Sequence, residues 1–192
     1  MKKLISTLSI SAGMVLFLAF TAPVKTESFK VDTASSSIDW IGRKLTGEHT
    51  GKIKLASGEL LVEGNNVKGG AFVMDMNSLT SDSEKLTGHL KTDDFFSVEK
   101  NPTAKFQITK VSQTGSTLNV SGNLTIKGIT QPISFPATVT KSGNSIIANA
   151  KGVKVNRVKF DIRYGSKSFF NDIGDKAIDD DFELEINLVA KK

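Results

Sequence analysis

From Phe29 onward the chain alternates between apolar and polar positions with a period of two, most clearly towards its C-terminus. Over residues 181–190, Phe182, Leu184, Ile186, Leu188 and Ala190 share one face, while Asp181, Glu183, Glu185 and Asn187 share the other. Successive side chains of a strand point to opposite faces, so this pattern predicts a strand with one dry and one wet side. Residues 117–127 repeat it, with Leu118, Val120, Leu124 and Ile126 opposed to Asn119, Ser121, Asn123 and Thr125. Ile133, Phe135, Ala137 and Val139 do so again after Pro132.

Turn residues punctuate these runs at Ser57-Gly58, Gly64-Asn65-Asn66, Thr114-Gly115, Lys127-Gly128 and Ser142-Gly143-Asn144. Several suit tight hairpins, in which Gly or Asn takes a positive φ at little steric cost. Eight antiparallel strands are expected, over residues 29–43, 49–63, 67–77, 104–113, 116–127, 132–141, 145–156 and 178–190. Two stretches break the rhythm. In the first, Ser81 or Ser83 can cap a short helix containing Glu84, Leu86, His89 and Leu90, followed by Asp93-Asp94-Phe95-Phe96, a segment able to lie across a barrel mouth. The second, residues 164–176, with Gly165, Phe169, Phe170 and Gly174, reads as a long loop with room for a short helix.

An antiparallel sheet with one dry face either closes on itself or packs against a second sheet, and alternation alone does not choose between them. An even strand count and short connections permit an up-and-down barrel, whose closure removes aggregation-prone edges. Eight strands enclose a space that side chains fill or that holds one ligand.

The first residues add a destination. Lys2 and Lys3 precede an apolar run over residues 12–20, then small residues and Pro23, which is the layout of a secretory signal peptide. The expected organisation is a leader over residues 1–22 and one domain over 28–191, periplasmic or secreted, with no integral membrane span once the leader is removed. No cysteine follows the apolar run to carry a lipoprotein anchor, and the chain contains none at all. Disulfides, thiolate metal ligands and cysteine nucleophiles are thereby excluded. The formal charge of +5 loses two lysines with the leader, leaving about +3, with the charges scattered singly. That is not the clustered basic face of a nucleic-acid binder.

Candidate chemistry is sparse. His49 and His89 are the two histidines, and neither belongs to an HExxH metal signature or a GxSxG nucleophile elbow. The acidic run Asp179-Asp180-Asp181 lacks the spaced ligands of a calcium loop, and no GxxxxGK[ST] phosphate loop occurs. The expectation is a protein that is not an enzyme and carries no cofactor.

Two longer segments resemble a known family. Residues 88–106, with His89-Leu90, Phe95-Phe96 and then Pro102, Ala104 and Phe106, are similar to the HL-x-x-x-x-F-F, spacer, P-x-A-x-F passage of YceI-like proteins. Residues 122–133 resemble that family's G-x-L-T-x-x-G-x-T-x-P hairpin through Gly122, Leu124, Thr125, Gly128, Thr130 and Pro132. Phe29 to Asp32, Ser37, Trp40, residues 51–58, and Asn156-Arg157 before Phe160 also fit, so the resemblance spans essentially the whole mature chain. It implies an all-β fold with a short helical insertion, an eight-stranded antiparallel lipocalin-like β-barrel. It further implies a long isoprenoid or other lipid as the bound partner, often a homodimer, and no common catalysis.

The dry faces then become a candidate binding surface. Trp40 and Ile53 come from the first two strands, and Phe72, Met74 and Met76 from the third, where thioethers adapt to an irregular chain. Leu86, Leu90 and Phe95 come from the helical insertion, and Phe106 and Ile108 from the strand after it. Leu118, Leu124, Ile126, Ile133 and Phe135 follow, then Phe160, and Phe182, Leu184 and Ile186 from the last strand. Such positions also serve as plain core; the resemblance favours a cavity. Micromolar affinity needs about 8 kcal/mol, association costs at least about 4, and each buried methylene returns roughly 0.8, so about 15 carbons is the minimum chain. A phosphate headgroup would look to Lys85, Lys91 and Lys105 near the helix. A rival reading is a secreted interaction module with a filled barrel, acting through Phe95, Phe96, Phe169 and Phe170.

Overall fold

The computed structural model describes residues 25–114 and 117–192, so the expected leader lies outside the described residues. The strands are β1 (Thr26–Val31), β2 (Ser37–Lys44), β3 (Gly47–Glu63), β4 (Asn66–Ser81), β5 (Thr103–Thr114), β6 (Thr117–Ile126), β7 (Ile129–Ser142), β8 (Ser145–Asn156) and β9 (Ile178–Lys191). Helix α1 (Glu84–Lys91) separates β4 from β5, and a 3₁₀ turn (Arg157–Phe160) ends β8. Each strand from β2 to β9 pairs antiparallel with the next. β9 then returns to both β1 and β2, closing the barrel.

Nine strands make eight positions around this barrel, because β1 and β2 share one. β1 pairs with residues 59–63 of β3 and the end of β9, whereas β2 pairs with residues 47–53 of β3 and the earlier part of β9. The single strand expected over 29–43 is therefore interrupted. Asp32 causes the break: its carboxylate accepts from Ser35 N at 3.2 Å and Ser35 Oγ at 2.9 Å, a side-chain mimic of a backbone turn. β4 also runs to Ser81, past the expected end at 77. A bulge hides this continuation, for the register against β3 jumps between Lys54↔Asp75 and Lys52↔Thr80.

Turn chemistry fixes the hairpins. Lys127 and Gly128 both take positive φ, 52° and 73°, between the paired residues Ile126 and Ile129. That is the two-residue type I′ connection, whose twist matches the strands it joins. The hairpins β3–β4, β5–β6 and β7–β8 lie at one end of the barrel, termed lower. The β2–β3 and β6–β7 hairpins, α1 and residues 157–177 lie at the upper end.

The lower end is solidly filled. Phe29, Val62, Ile146 and Ala190 are essentially inaccessible there, and Lys141 closes over them with its ammonium 5.3 Å from the Phe29 ring centre. The same ammonium donates to the Gly64 carbonyl at 2.7 Å. At the upper end α1 and residues 92–102 fold across the opening, so the space between is enclosed by strands below and a helical segment above.

Candidate functional site

The inward faces of the strands do not meet in the middle. They leave a cavity of about 330 Å³ with almost wholly apolar walls that runs from Leu60, Val67 and Leu188 below to Arg43, His49 and Asp179 above. Every residue expected from the sequence to line a lipid cavity does so except Phe160. Phe160 is fully buried in the 3₁₀ turn after β8, where it borders a surface cleft on the barrel flank instead. Ile38, Leu55, Leu60, Val120, Val153 and Leu188 also line the cavity and were not among the expected residues. The same period-two signal carried Ile38, Leu55, Val120 and Leu188, each two residues from a chosen neighbour; Leu60 lies beyond the bulge at Leu55–Ser57, and no β8 neighbour of Val153 was chosen.

An aromatic row forms one wall. Phe72 and Phe106 stack with ring centres 6.4 Å apart, and Phe106 meets Phe135 at 5.6 Å. Gly122 makes room for this row: a β-carbon there would stand 2.5 Å from the Phe106 ring and 2.5 Å from the Gln107 carbonyl. The glycine that opens the G-x-L-T segment is thus a packing requirement of the cavity wall. Trp40 keeps its indole face to the cavity and donates Nε1 to the Thr80 carbonyl at 3.1 Å, so its polar edge costs nothing on burial.

The roof is built from the helical insertion. Ser83, not Ser81, caps α1, accepting from Leu86 N at 3.4 Å. The helix sends Leu86 and Leu90 into the cavity, and the turn after it sends Phe95 and Phe96. These two phenylalanines are therefore roof, not an exposed contact surface as the interaction-module reading required. Phe169 and Phe170 do stand in solvent, 44% and 47% exposed. His89 lies edge-on between Phe95 at 5.0 Å and Tyr164 at 4.8 Å and donates from Nε2 to Asp94 at 3.1 Å. His49 is similarly bonded to Asp82 at 3.0 Å. Both rings hold loops together at the rim.

Several charges at the upper end are paired with one another. Arg43 bridges Glu183 at 3.0 Å and Glu48 at 3.3 Å. Arg157, in a segment noted in the sequence but not chosen as a site, is almost fully buried. Its Nε donates to the Asp179 carbonyl at 2.9 Å, Nη1 to those of Ile162 at 3.0 Å and Tyr164 at 2.8 Å, and Nη2 to that of Ile178 at 3.0 Å. Burial draws its pKa down from the ordinary arginine value, opposed by the charges of Asp180 and Asp179. Burial tends to raise the Asp180 pKa, but hydrogen bonds from Ser166 and Ser168 and the Arg157 charge together hold it below the usual value. The expected phosphate ligands do not converge on this region. Lys91 donates to the Asn77 carbonyl at 2.7 Å, Lys105 faces outward from β5, and none of Lys85, Lys91 and Lys105 borders the cavity.

The YceI-like domain model matches residues 29–190. The chain belongs to the YceI-like family. A UPF0312 protein of Vibrio vulnificus is 30% identical over 140 residues, which is 70% of this chain and 74% of that one. One of Pseudomonas paraeruginosa is 37% identical over 71 residues, 37% of each chain, so the match to this relative spans little more than a third of its length. Among solved structures, BcnA of Burkholderia cenocepacia superposes with a TM-score of 0.72 at 20% identity, covering 84% of this chain and 99% of that one. A polyisoprenoid binding domain from Saccharophagus degradans, described as implicated in plant cell wall breakdown, gives 0.67 at 17% identity over 85% and 97% of the two chains. At these identities the likeness concerns the fold. No helix among the described residues is long and apolar enough to cross a membrane.

Proposed function

We propose that this YceI-like barrel is an exported, non-catalytic carrier that holds one long apolar chain, an isoprenoid or a fatty acyl group, in its interior for storage or transport. The observation that carries the reading is the cavity: about 330 Å³, apolar along its length, and roofed by Leu86, Leu90, Phe95 and Phe96. A space with those walls offers a ligand almost only apolar contact, so most of the affinity must come from buried carbon, and about 15 carbons is the minimum for micromolar binding. The Saccharophagus degradans neighbour, named for polyisoprenoid binding, supports the same class of ligand. The leader-like residues 1–22 support export to the periplasm or beyond. The hydrogen bonds of His49 to Asp82 and of His89 to Asp94 fit structural roles. The family's association with dimers extends to this chain as a proposed homodimer.

Mass spectrometry of organic extracts tests the reading, using mature protein purified without detergent from its own host. A stoichiometric prenyl or acyl species names the cargo. An empty extract together with no uptake of a prenyl or acyl fluorescent probe at micromolar concentration refutes it and favours a filled scaffold acting through Phe169 and Phe170.

A further inference from the structure

The backbone ladder of the barrel wall does not run its full height. Between its upper end at Thr138↔Asn149 and the top of the barrel, β7 and the turn before it are tied to the segment after β8 by side chains, Gln131 Nε2 donating to the Lys159 carbonyl at 3.3 Å and Lys127 Nζ to that of Asp161 at 3.1 Å. β7 and β8 pair only through residues 138–142 and 145–149, near the lower end. Above Thr138↔Asn149, β7 pairs with β6 alone and β8 with β9 alone. Two local features cause the parting. Pro132 and Pro136 lie opposite Asn123 and Asn119 of β6. Counting from the hydrogen-bonded pair Ile126↔Ile129, both are positions whose backbone nitrogen turns away from β6, towards β8. A proline there has no N–H to offer, so the missing donors are those that would have bound β8. On the other side of the seam, β8 carries a bulge between Ala150 and Val153, with Gly152 at φ 64°, which bends the strand out of line.

A cleft of about 360 Å³ opens between the two strands. Its polar wall comprises Gln131 and Ser134 of β7, Lys154 and Asn156 of β8, then Lys159 and Asp181. Ile133 and Asp181 border both this cleft and the cavity, so the two spaces are neighbours through the seam. Ile133 and Phe135 point inward yet remain partly accessible, whereas Val120 and Leu124 on β6 are buried. Asp181 accepts from Asn156 Nδ2 at 2.9 Å. The ammonium groups of Lys154 and Lys159 have no carboxylate partner among the described residues, so the cleft carries one net positive charge.

We infer that the β7–β8 seam is a lateral portal whose cleft binds an anionic oxygen headgroup, carboxylate or phosphate, between Lys154 and Lys159 while the attached chain passes Ile133 into the cavity. This rests on the cavity holding a lipid chain. It departs from a headgroup at the barrel mouth, where Arg43 and His49 are committed to carboxylates and Lys44 is the cation in the cavity lining with no ion pair among the described residues.

The test uses mature protein and three probes of one chain length, hexadecanoic acid, hexadecyl phosphate and hexadecanol, each displacing an apolar fluorescent ligand. The two anions are expected to bind about tenfold more tightly than the alcohol, as for charge-assisted contacts at a partly exposed site. Lys154→Ala with Lys159→Ala brings them to the alcohol's level and leaves the alcohol unchanged, and molar salt narrows the gap likewise. Lys85→Ala with Lys105→Ala is the control and keeps the preference. Which anion binds more tightly identifies the lipid class. A preference that survives in the Lys154/Lys159 variant, or alcohol binding that falls in parallel, overturns the headgroup site while leaving the cavity reading intact. Ile133→Trp, which narrows the seam, slows association of all three probes several-fold, and an unchanged association rate overturns the passage. Failure of every probe to bind overturns the portal and the cavity reading together.

Discussion

Replacing Arg157 by alanine removes a buried fork of donors from the upper end of the barrel. Four backbone carbonyls, those of Ile162, Tyr164, Ile178 and Asp179, lose their partner at once, and Asp180, whose Oδ1 lies 3.7 Å from Nη2, loses its cation. Hydrogen bonds from a charged donor contribute about 1.5–3 kcal/mol each, but the loop can reach water and recover part of that. The net cost should resemble that of breaking a buried charge pair, about 3–5 kcal/mol. For a chain of this size each kcal/mol moves the melting temperature by about 2–4 °C, so a fall of roughly 6–20 °C is expected by circular dichroism. Arg157→Lys separates geometry from charge, because a compact ammonium cannot span the carbonyls that the planar guanidinium reaches. It should recover less than half of the loss. If the loop opens on its own, global stability changes little but the amides of Ala177 and Ile178 exchange faster. A loss below about 1 kcal/mol with unaltered exchange would refute the assigned role of Arg157.

Two further outcomes follow from other parts of the barrel. Gly122→Ala forces a methyl group against the Phe106 ring and the Gln107 carbonyl, which should cost about 1–3 kcal/mol in urea unfolding. Phe106→Leu in the same chain should return part of that cost, and a strictly additive double mutant would count against the contact. Asp32 is held near a pKa of about 2, from an ordinary 3.8, by hydrogen bonds from Lys191 and Ser35. Its folded pKa lies below the unfolded one, so its contribution is complete above about pH 4 and is lost as pH falls towards 2. Asp32→Asn should flatten that part of the urea midpoint against pH, and an unchanged acid limb would show the link to be idle.

What could be read in the sequence depended on whether the period of two ran undisturbed. β6, β7 and β9 alternate without interruption, and their inward residues could be named in advance. β1 and β2 looked continuous because nothing in the pattern shows that Asp32 closes a turn with Ser35. The end of β4 was lost because its bulge shifts the alternation out of phase. Alternation says which face is dry but not how far apart opposite dry faces stand, so a hollow interior could not be told from a filled one. Lys105 was a readable mistake: its neighbours Ala104 and Phe106 face inward, which places the lysine outside. Arg157 gave no signal of its own, since a lone arginine at a strand end is ordinarily a surface residue.

The seam between β7 and β8 and the buried arginine explain each other. A strand end that lacks a neighbour on one side is free to fray unless something beyond it is fixed. β8 has no β7 ladder above Asn149, yet it ends on the 3₁₀ turn that begins at Arg157. The Arg157 side chain ties that turn to residues 162–164 and to the start of β9, which is the neighbour β8 still has. The bonds that Pro132 and Pro136 withhold from the wall are offset by bonds to a single guanidinium above it. A barrel built this way holds the end of β8 in place although its ladder to β7 stops at Asn149, and the lateral portal inferred above needs such a wall whereas a filled scaffold does not.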